Sequence, residues 1–195
     1  MIDTIYSMSF TTGTLLYRES ILMAELYLDM RIGGWFAALF LLTINCKCVH
    51  KTLRDGFKEK SVPRLKLLTP AQLDLLATGS RPEQNHILWL AFCKRYRFVC
   101  DFAVEVIREK FLRLDFNLSY ADYDIFFQDK AQWHPEVERV APSTRSKQRQ
   151  VLFKSLREAE ILTDKNLIIP QIMSPRFVRL ITEDDPFYLA IFPAR

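Results

Sequence analysis

The stretch PSTRSKQRQVLFKSLREAEILTDKNLIIP, residues 142–170, decides how the C-terminal part of the chain is organised. Pro142 followed by Ser143 and Thr144 is typical of a helix start, and we expect the Ser143 side chain to cap the first turn. Apolar residues then recur at helical spacing, which predicts one buried stripe. The stripe consists of Val151, Leu152, Leu156 and Ala159.

Two short apolar runs follow this helix, Ile161-Leu162 and Leu167–Ile169, with turn residues between them. Short apolar runs around a turn predict a β-hairpin. A helix followed by a hairpin is the arrangement of the recognition helix and wing in a winged helix-turn-helix. The first helix of that pair is then 121–133, which begins at a capping box made by Ser119 and Asp122.

Positive charge is concentrated on the long helix. Residues 139–157 contain six Lys or Arg and no acid, whereas the whole chain has a net charge of only +4. The helical repeat places four polar side chains away from the apolar stripe. They belong to Lys147, Gln150, Lys154 and Arg157. This pattern favours phosphate binding, although a solvated helix face gives the same pattern.

The remaining polar residues of this region extend the predicted site. Arg145 and Arg149 share the side of Leu152 and Leu156, so they either contact a nucleic acid or pair with Glu136 or Glu138. The helix N-terminus can accept a phosphate. The predicted binding set is therefore Ser143, Thr144, Arg145, Lys147, Arg149, Gln150, Lys154, Arg157 and Lys165, the last residue lying on the wing.

A second basic cluster lies near the middle of the chain, between two predicted helices. Lys94, Arg95 and Arg97 surround an aromatic residue, a composition that suits phosphate binding. The alternative is that these side chains pair with Asp101 and Glu105. The sequence alone leaves both interpretations open.

The bulk composition indicates a mainly helical globular chain. It has 195 residues, is 49% hydrophobic and contains five Gly. We expect a helical domain over 1–115 and a winged-helix-like domain over 116–195. The apolar run 32–45 is shorter than the roughly 20 residues that span a bilayer, and no signal peptide is evident. We therefore expect a cytoplasmic protein without membrane insertion.

No pattern indicates catalysis, a cofactor or a small-molecule substrate. Cys46, Cys48 and His50 form C-x-C-x-H, which lacks the usual zinc spacing and a fourth ligand, so we predict no metal site. A phosphate-binding glycine loop and a nucleophile elbow are missing from the sequence. The remaining Cys and His residues are expected to be structural. They are Cys93, Cys100, His86 and His134.

Four long stretches resemble the BrxA family, the small component of BREX (bacteriophage exclusion) phage-defence systems. They are MSFTTGTLLYRES (8–20), LWLAFCKRYRFVCDFAVEVIREKFLRL (88–114), YADYDIFFQDKAQWHPEVERVAPSTRSKQRQVLFKSLREAEIL (120–162) and LAIFP (189–193). The resemblance implies an all-α protein with a NusB-like helical part and a winged helix. It also implies non-catalytic binding of double-stranded DNA and association with other BREX defence proteins.

Residues 32–62 depart from this resemblance. Our hypothesis is that the stretch is translated out of frame between two compensating insertions or deletions. In the alternative frame Trp35-Phe36 encodes Val and Asn45-Cys46 encodes Leu, as the family pattern requires. A stop codon in that frame of the coding DNA would disprove the hypothesis.

Two alternatives to DNA binding remain. The NusB resemblance and the basic–aromatic cluster around Arg95 also suit an RNA-binding module. The C-terminal region also suits a protein–protein adaptor within a defence complex. Competition between duplex DNA and RNA distinguishes the first alternative, and a pull-down with nuclease distinguishes the second.

Overall fold

A computed structural model describes residues 5–11, 13–29 and 62–194 of the chain. In these ranges the regular secondary structure is helical, as the sequence predicts. The α-helices are α1 (Tyr17–Asp29), α2 (Pro70–Thr78), α3 (Arg81–Arg95), α4 (Arg97–Phe102), α5 (Glu109–Leu112), α6 (Tyr120–Ala131), α7 (Pro135–Glu138), α8 (Pro142–Glu158) and α9 (Pro175–Asp184). A π-helix, Ala103–Arg108, joins α4 to α5, and a 3₁₀-helix, Pro186–Ile191, follows α9.

Capping residues in the sequence set several helix starts. The Thr69 hydroxyl accepts a hydrogen bond from the Gln72 backbone N–H. In return, the Gln72 side-chain oxygen accepts one from the Thr69 backbone N–H. Ser119 and Asp122 form the same reciprocal box before α6, as predicted. Such a box satisfies N–H groups that otherwise lack partners at a helix start. Local chemistry alone therefore fixes where these helices begin.

Helix α3 is central, because its side chains from Asn85 to Cys93 are all buried. Trp89 is fully buried, and its indole N–H donates to the Ile191 carbonyl over 3.2 Å. This bond docks the C-terminal 3₁₀-helix onto α3. The buried side chains form a hydrophobic core that extends from Tyr6 to Phe192.

The N-terminal segment, described at residues 5–11 and 13–16, packs against the helices. Phe10 is fully buried and packs against the rings of Phe92, Tyr96 and Phe98. The Tyr6 hydroxyl donates to the Asp101 carboxylate over 2.7 Å. This segment therefore completes the core between the helices.

Arg64 anchors the same segment from inside the protein. Its buried guanidinium donates to the carbonyls of Gly13, at 2.8 Å, and Thr14. The guanidinium carbon lies 4.5 Å from the centre of the Phe92 ring. Burial lowers the pKa of Arg64 from its ordinary value, but the two carbonyls and the ring compensate for the lost hydration.

The predicted β-hairpin is absent from the described ranges, so the winged-helix interpretation is wrong. Leu162 and Ile168 form one isolated bridge, and Asn117 and Leu167 form another. The segment around Ile168 divides its hydrogen bonds between two neighbours. The Ile168 N–H donates to the Phe116 carbonyl and the Ile169 N–H to the Ile161 carbonyl, both over 2.8 Å.

The ends of the two runs explain why no ladder develops. The first run begins directly after Glu160, whose φ of 58° closes the end of helix α8. The second run ends at Pro170, which has no N–H to donate to a neighbouring strand. Too few consecutive residues remain between these points for a strand pair.

Several predictions fall outside the described residues. They include the C-x-C-x-H motif, the apolar run 32–45 and the frame hypothesis for residues 32–62, of which only Val62 is described. The domain division near residue 115 stays a prediction. Among the residues that the structure describes, no helix is long and apolar enough to cross a membrane.

Candidate nucleic-acid interface

Helix α6, the single-turn helix α7 and the long helix α8 follow one another in the chain. Helix α8 is held by a buried stripe whose predicted members, Val151, Leu152, Leu156 and Ala159, are all buried. Phe153 is also buried, and its ring lies 4.6 Å from that of Tyr120 on α6. The predicted inner face of the helix is therefore confirmed.

The opposite face of α8 is exposed and basic. Ser143, Lys147, Gln150 and Lys154 are all exposed and follow each other at three- and four-residue spacing, which places them on one side. Within the described residues Lys147 makes no ion pair. The Lys154 side chain is 67% exposed and its ammonium lies 3.8 Å from Glu158, the nearest carboxylate. A surface contact of that length leaves the cation available to another anion.

Arg145 and Arg149 do not lie on this exposed face. Both bind the carboxylate of Asp124 on α6: Arg145 through Nε, at 3.1 Å, and Nη2, at 2.8 Å, and Arg149 through Nη1. The prediction of pairing was right in kind, but the partner is Asp124 rather than Glu136 or Glu138. Their guanidinium groups also cover aromatic rings of α6, those of Phe127 and Tyr120.

The start of α8 differs from the prediction. The N-cap residue is Ala141, and no side chain caps this end, so the predicted cap by Ser143 is wrong. Pro142 occupies the first turn, where its missing N–H costs nothing. The N–H groups of the following residues have no helical acceptor. Ser143 is exposed and Thr144 half-buried at this end.

Arg157 and Lys165 mark the other end of the helix. The Arg157 Nη2 group donates to the Asn166 side-chain oxygen over 2.6 Å, so this half-buried cation does not join the exposed face. The bond instead ties the turn 163–166 to α8. Lys165 in that turn is exposed. Arg157 therefore stabilises the turn and is not available to an external phosphate.

The second basic cluster is occupied by intramolecular contacts. The Lys94 ammonium is 2.5 Å from Asp184 and also donates to the Leu67 carbonyl over 3.0 Å. Arg97 pairs with Asp101 over 2.8 Å, as the structural alternative predicted. Arg95 is half-buried with its guanidinium near the Tyr96 ring. Glu105, the other predicted partner, pairs with Lys130 instead.

The described residues offer little nucleophilic or metal-binding chemistry. Cys93 and Cys100 are buried free thiols, and burial raises the pKa of both, to about 12 for Cys100. Such thiols are poor nucleophiles at neutral pH. Burial also lowers the pKa of His86, whose Nε2 lies 2.9 Å from the Gln171 side-chain oxygen. Over the described ranges no cluster of three potential metal ligands occurs.

Two residues that organise this region have no recognisable signal in the sequence. Asp124 was not singled out, yet it orients two arginines across the helix pair. Arg64 was not singled out, although it binds the N-terminal segment. Neither role has a local signal, because each partner lies at least twenty residues away in the chain.

The fold and this surface define a class: helical proteins in which one long helix presents an exposed basic face. Within that class, the family model BrxA matches residues 4–185. The chain belongs to the BrxA family, which confirms the resemblance seen in its sequence.

Two further comparisons found similar proteins. A curated relative from Bacillus cereus (strain H3081.97), named BREX protein BrxA, is 24% identical over 167 residues. That match covers 84% of this chain and 82% of the relative. The crystal structure of an uncharacterized protein from Magnetospirillum magneticum superposes with a TM-score of 0.81 at 19% identity, covering 97% of this chain and 100% of the other. At that identity the likeness shows a shared fold.

Proposed function

We propose that this chain is a non-catalytic, cytoplasmic component of a BREX defence system that binds double-stranded DNA through the exposed face of α8. The observation that carries the proposal is the line of Ser143, Lys147, Gln150 and Lys154, exposed together on one side of a rigidly packed helix. The name of the Bacillus cereus relative supports the link with BREX. The proposal does not require a wing.

The dimensions of this face suit a DNA groove. Lys147 and Lys154 are seven residues apart, which is about 10 Å along a helix. The major groove of B-DNA is about 12 Å wide and admits an α-helix. The two ammonium groups then reach phosphates, while Gln150 between them faces the base edges. Gln can pair with adenine, so it is the residue of this line that could discriminate sequence.

The other predicted residues have secondary roles in the proposal. The uncapped N-terminus of α8, with Ser143 and Thr144, accepts a phosphate through backbone N–H groups. Lys165 extends the basic face, and Arg157 holds its turn. Arg145 and Arg149 are less important contacts, since each already shares the Asp124 carboxylate.

Fluorescence anisotropy on a labelled duplex of 30 base pairs, over a salt series, tests the proposal. Each lost phosphate contact should reduce the slope of log K against log salt by about 0.9. We expect Lys147→Ala/Lys154→Ala to lower the slope by roughly twice that amount and to weaken binding on every sequence. Arg179→Ala, an exposed cation on α9, is the matched control. Equal affinity and slope in the double variant would refute the assignment.

We propose DNA rather than RNA as the ligand because two of the three cations in the second basic cluster already form ion pairs within the protein. The RNA-binding hypothesis depends on Lys94, Arg95 and Arg97, of which Lys94 and Arg97 are engaged in ion pairs. Competition between DNA and RNA duplexes of equal length measures the preference directly. Stronger competition by RNA would favour the alternative.

A further inference from the structure

An apolar groove lies between the turn that follows α5 and the segment that precedes α9. It has a volume of about 590 Å³. None of the described residues that line it is ionisable, and the only polar side chain among them is that of Gln171. The apolar walls include Phe111, Phe116, Pro170, Ile172, Met173 and Val178.

Exposed apolar side chains are concentrated in the two segments that form this groove. Five of the large apolar side chains exposed in the described ranges fall within residues 112–116 and 167–172, namely Leu112, Leu114, Phe116, Leu167 and Ile172. The two segments are neighbours in the fold, because the Ile168 N–H donates to the Phe116 carbonyl over 2.8 Å. Such a concentration is typical of an interaction surface, whereas single exposed apolar residues are not.

Ile172 is the most exposed of these residues, and its backbone is fixed on both sides. The side chain is 90% exposed. Before it, the Gln171 N–H donates to the Pro193 carbonyl and the Gln171 side-chain amide to the Glu160 carbonyl, both over 2.9 Å. After it, Ser174 caps helix α9. An apolar projection on a fixed backbone loses little conformational freedom when it binds, so it favours association.

The turn that carries Phe116 is strained at Leu114. Leu114 has a φ of 62°, in the left-handed region where glycine is the usual residue after a helix. Its side chain is 60% exposed, so burial within the chain offsets little of this cost. The Leu114 N–H donates to the carbonyl of Phe111, whose ring lies 5.9 Å from that of Phe116. Contact of this turn with another molecule would account for an exposed leucine in a strained conformation.

We propose that the groove is a self-association surface, on which two copies of the chain meet about a twofold axis. Ile172 of each copy enters the groove of the other. A twofold contact requires a surface that is complementary to itself. This surface meets that requirement because it carries an apolar projection and an apolar groove side by side. Removal of both from water drives the association.

The distribution of charge supports a second copy as the occupant. Identical surfaces bind each other only where they do not repel, and the groove walls are uncharged. The turn beside them carries balanced charges: Lys110 pairs with Asp115 over 2.6 Å, and Arg113 lies 3.5 Å from Glu109. The exposed face of α8, with its unbalanced cations, would by contrast repel its own copy.

The association goes beyond the proposed function and does not depend on it. No residue of helix α8 is among the described residues that line the groove. Two associated copies therefore keep both basic faces free. If the chain binds DNA as proposed, the dimer offers two such faces to one duplex.

Sedimentation velocity of the full chain over a concentration series tests the inference. We expect a reversible dimer with a Kd of about 1–100 μM, because an interface built around one groove belongs to the weak class. Ile172→Lys should raise the Kd at least about tenfold, since it brings an unpaired charge to an apolar site. Ile125→Lys, at a 59% exposed isoleucine on α6, is the matched control and should leave the Kd unchanged. Urea unfolding checks that both variants are folded.

Cysteine cross-linking then locates the contact. Ile172→Cys and Phe116→Cys are purified separately, mixed and treated with a short bifunctional maleimide. We expect the mixture to give more cross-linked dimer than either variant alone, because residue 172 of one copy meets residue 116 of the other. Ile125→Cys in place of Ile172→Cys should give only the background that the native cysteines produce.

Other results would overturn the inference. A wild-type chain that stays monomeric throughout the series excludes the dimer. A dimer that is equally stable in Ile172→Lys, or cross-linking no greater in the mixture, assigns self-association to another face. Binding of a different BREX protein to a monomeric chain, lost in Ile172→Lys, assigns the groove to that protein. Failure of DNA binding by the wild-type chain would leave the sedimentation result intact, so the two proposals fail separately.

Discussion

Asp124 on α6 holds Arg145 on α8 by a two-pronged contact, with Nε at 3.1 Å and Nη2 at 2.8 Å from the same carboxylate oxygen. Arg149 binds the other oxygen, so one acid orients two cations across the helix pair. The side chains of all three are about one-quarter to one-third exposed. The contact fixes the rotation of α8 and hence the direction of its basic face.

Replacing Asp124 with Ala should destabilise the protein and free two cations. We expect a loss of about 1–3 kcal/mol in the free energy of unfolding, because the paired guanidinium groups are partly buried. DNA affinity at low salt should rise roughly two- to fivefold, since a negative charge beside the basic face is removed. Urea unfolding and anisotropy measure the two effects. Asp164→Ala, an exposed acid in a turn, is the control; a fall in DNA affinity would contradict the expectation.

Phe10 should be a major stabilising residue although it lies in a segment without regular structure. It is fully buried among three aromatic rings. Phe10→Ala should lower the free energy of unfolding by about 3–5 kcal/mol through lost burial and a residual cavity. Ile5→Ala in the same segment should change it by less than about 0.5 kcal/mol, because Ile5 is 83% exposed. Similar losses in both variants would show that the segment is not docked as described.

Arg64 should not tolerate its usual conservative replacement. Lysine cannot donate to two carbonyls in a fork while covering the Phe92 ring. We expect Arg64→Lys to cost about 1–3 kcal/mol in the free energy of unfolding. Arg81→Lys, at a 64% exposed side chain, provides the comparison. Equal unfolding midpoints for the two variants would show that the buried guanidinium contributes little.

His86 should make stability depend on pH in the mildly acidic range. Burial lowers its pKa in the folded state, whereas the unfolded value is about 6.5. The unfolded state therefore binds the proton more tightly, so the contribution to stability is present above about pH 6.5 and is lost as pH falls towards the folded pKa.

Denaturant unfolding at several pH values from about 8 to about 5, a range that brackets the ordinary pKa of histidine, checks this expectation. His86→Gln should show a shallower loss of stability on acidification than the wild-type chain, because Gln does not titrate. It should also be less stable at pH 8, since His86 packs against Phe177 and Phe192. Parallel pH profiles for the two proteins would show that another group controls the acid limb.

Local patterns predicted the features that depend on neighbouring residues. The capping box of α6 and the buried stripe of α8 both arise within a few residues, where capping and periodicity act. The family resemblance identified the correct family because it drew on long stretches. The exposure of Lys147, Gln150 and Lys154 followed from the same helical periodicity.

Features that depend on distant residues were not predictable in this way. The segment around Ile168 was expected to pair with one neighbour, but a second segment, at Phe116, takes part of its hydrogen bonding. Arg157 was expected to lie on the exposed face, yet its guanidinium donates a hydrogen bond to the side chain of Asn166. Helical periodicity predicts the face of the helix on which a residue lies. It does not predict which distant part of the chain contacts that face.

The N-terminal segment also has a consequence for synthesis. The Thr14 hydroxyl and the Leu15 N–H donate to the Glu158 carboxylate, over 2.7 Å and 2.9 Å, and the Gln148 side chain donates to the Met8 carbonyl. Residues 8–15 are therefore made more than a hundred residues before the contacts that hold them at Gln148 and Glu158. Until Phe92, Tyr96 and Phe98 have been made, Phe10 has no aromatic neighbours to cover it, and partially made chains expose its ring to one another. Slower translation at low temperature, with chaperones present, should consequently raise the yield of properly folded protein.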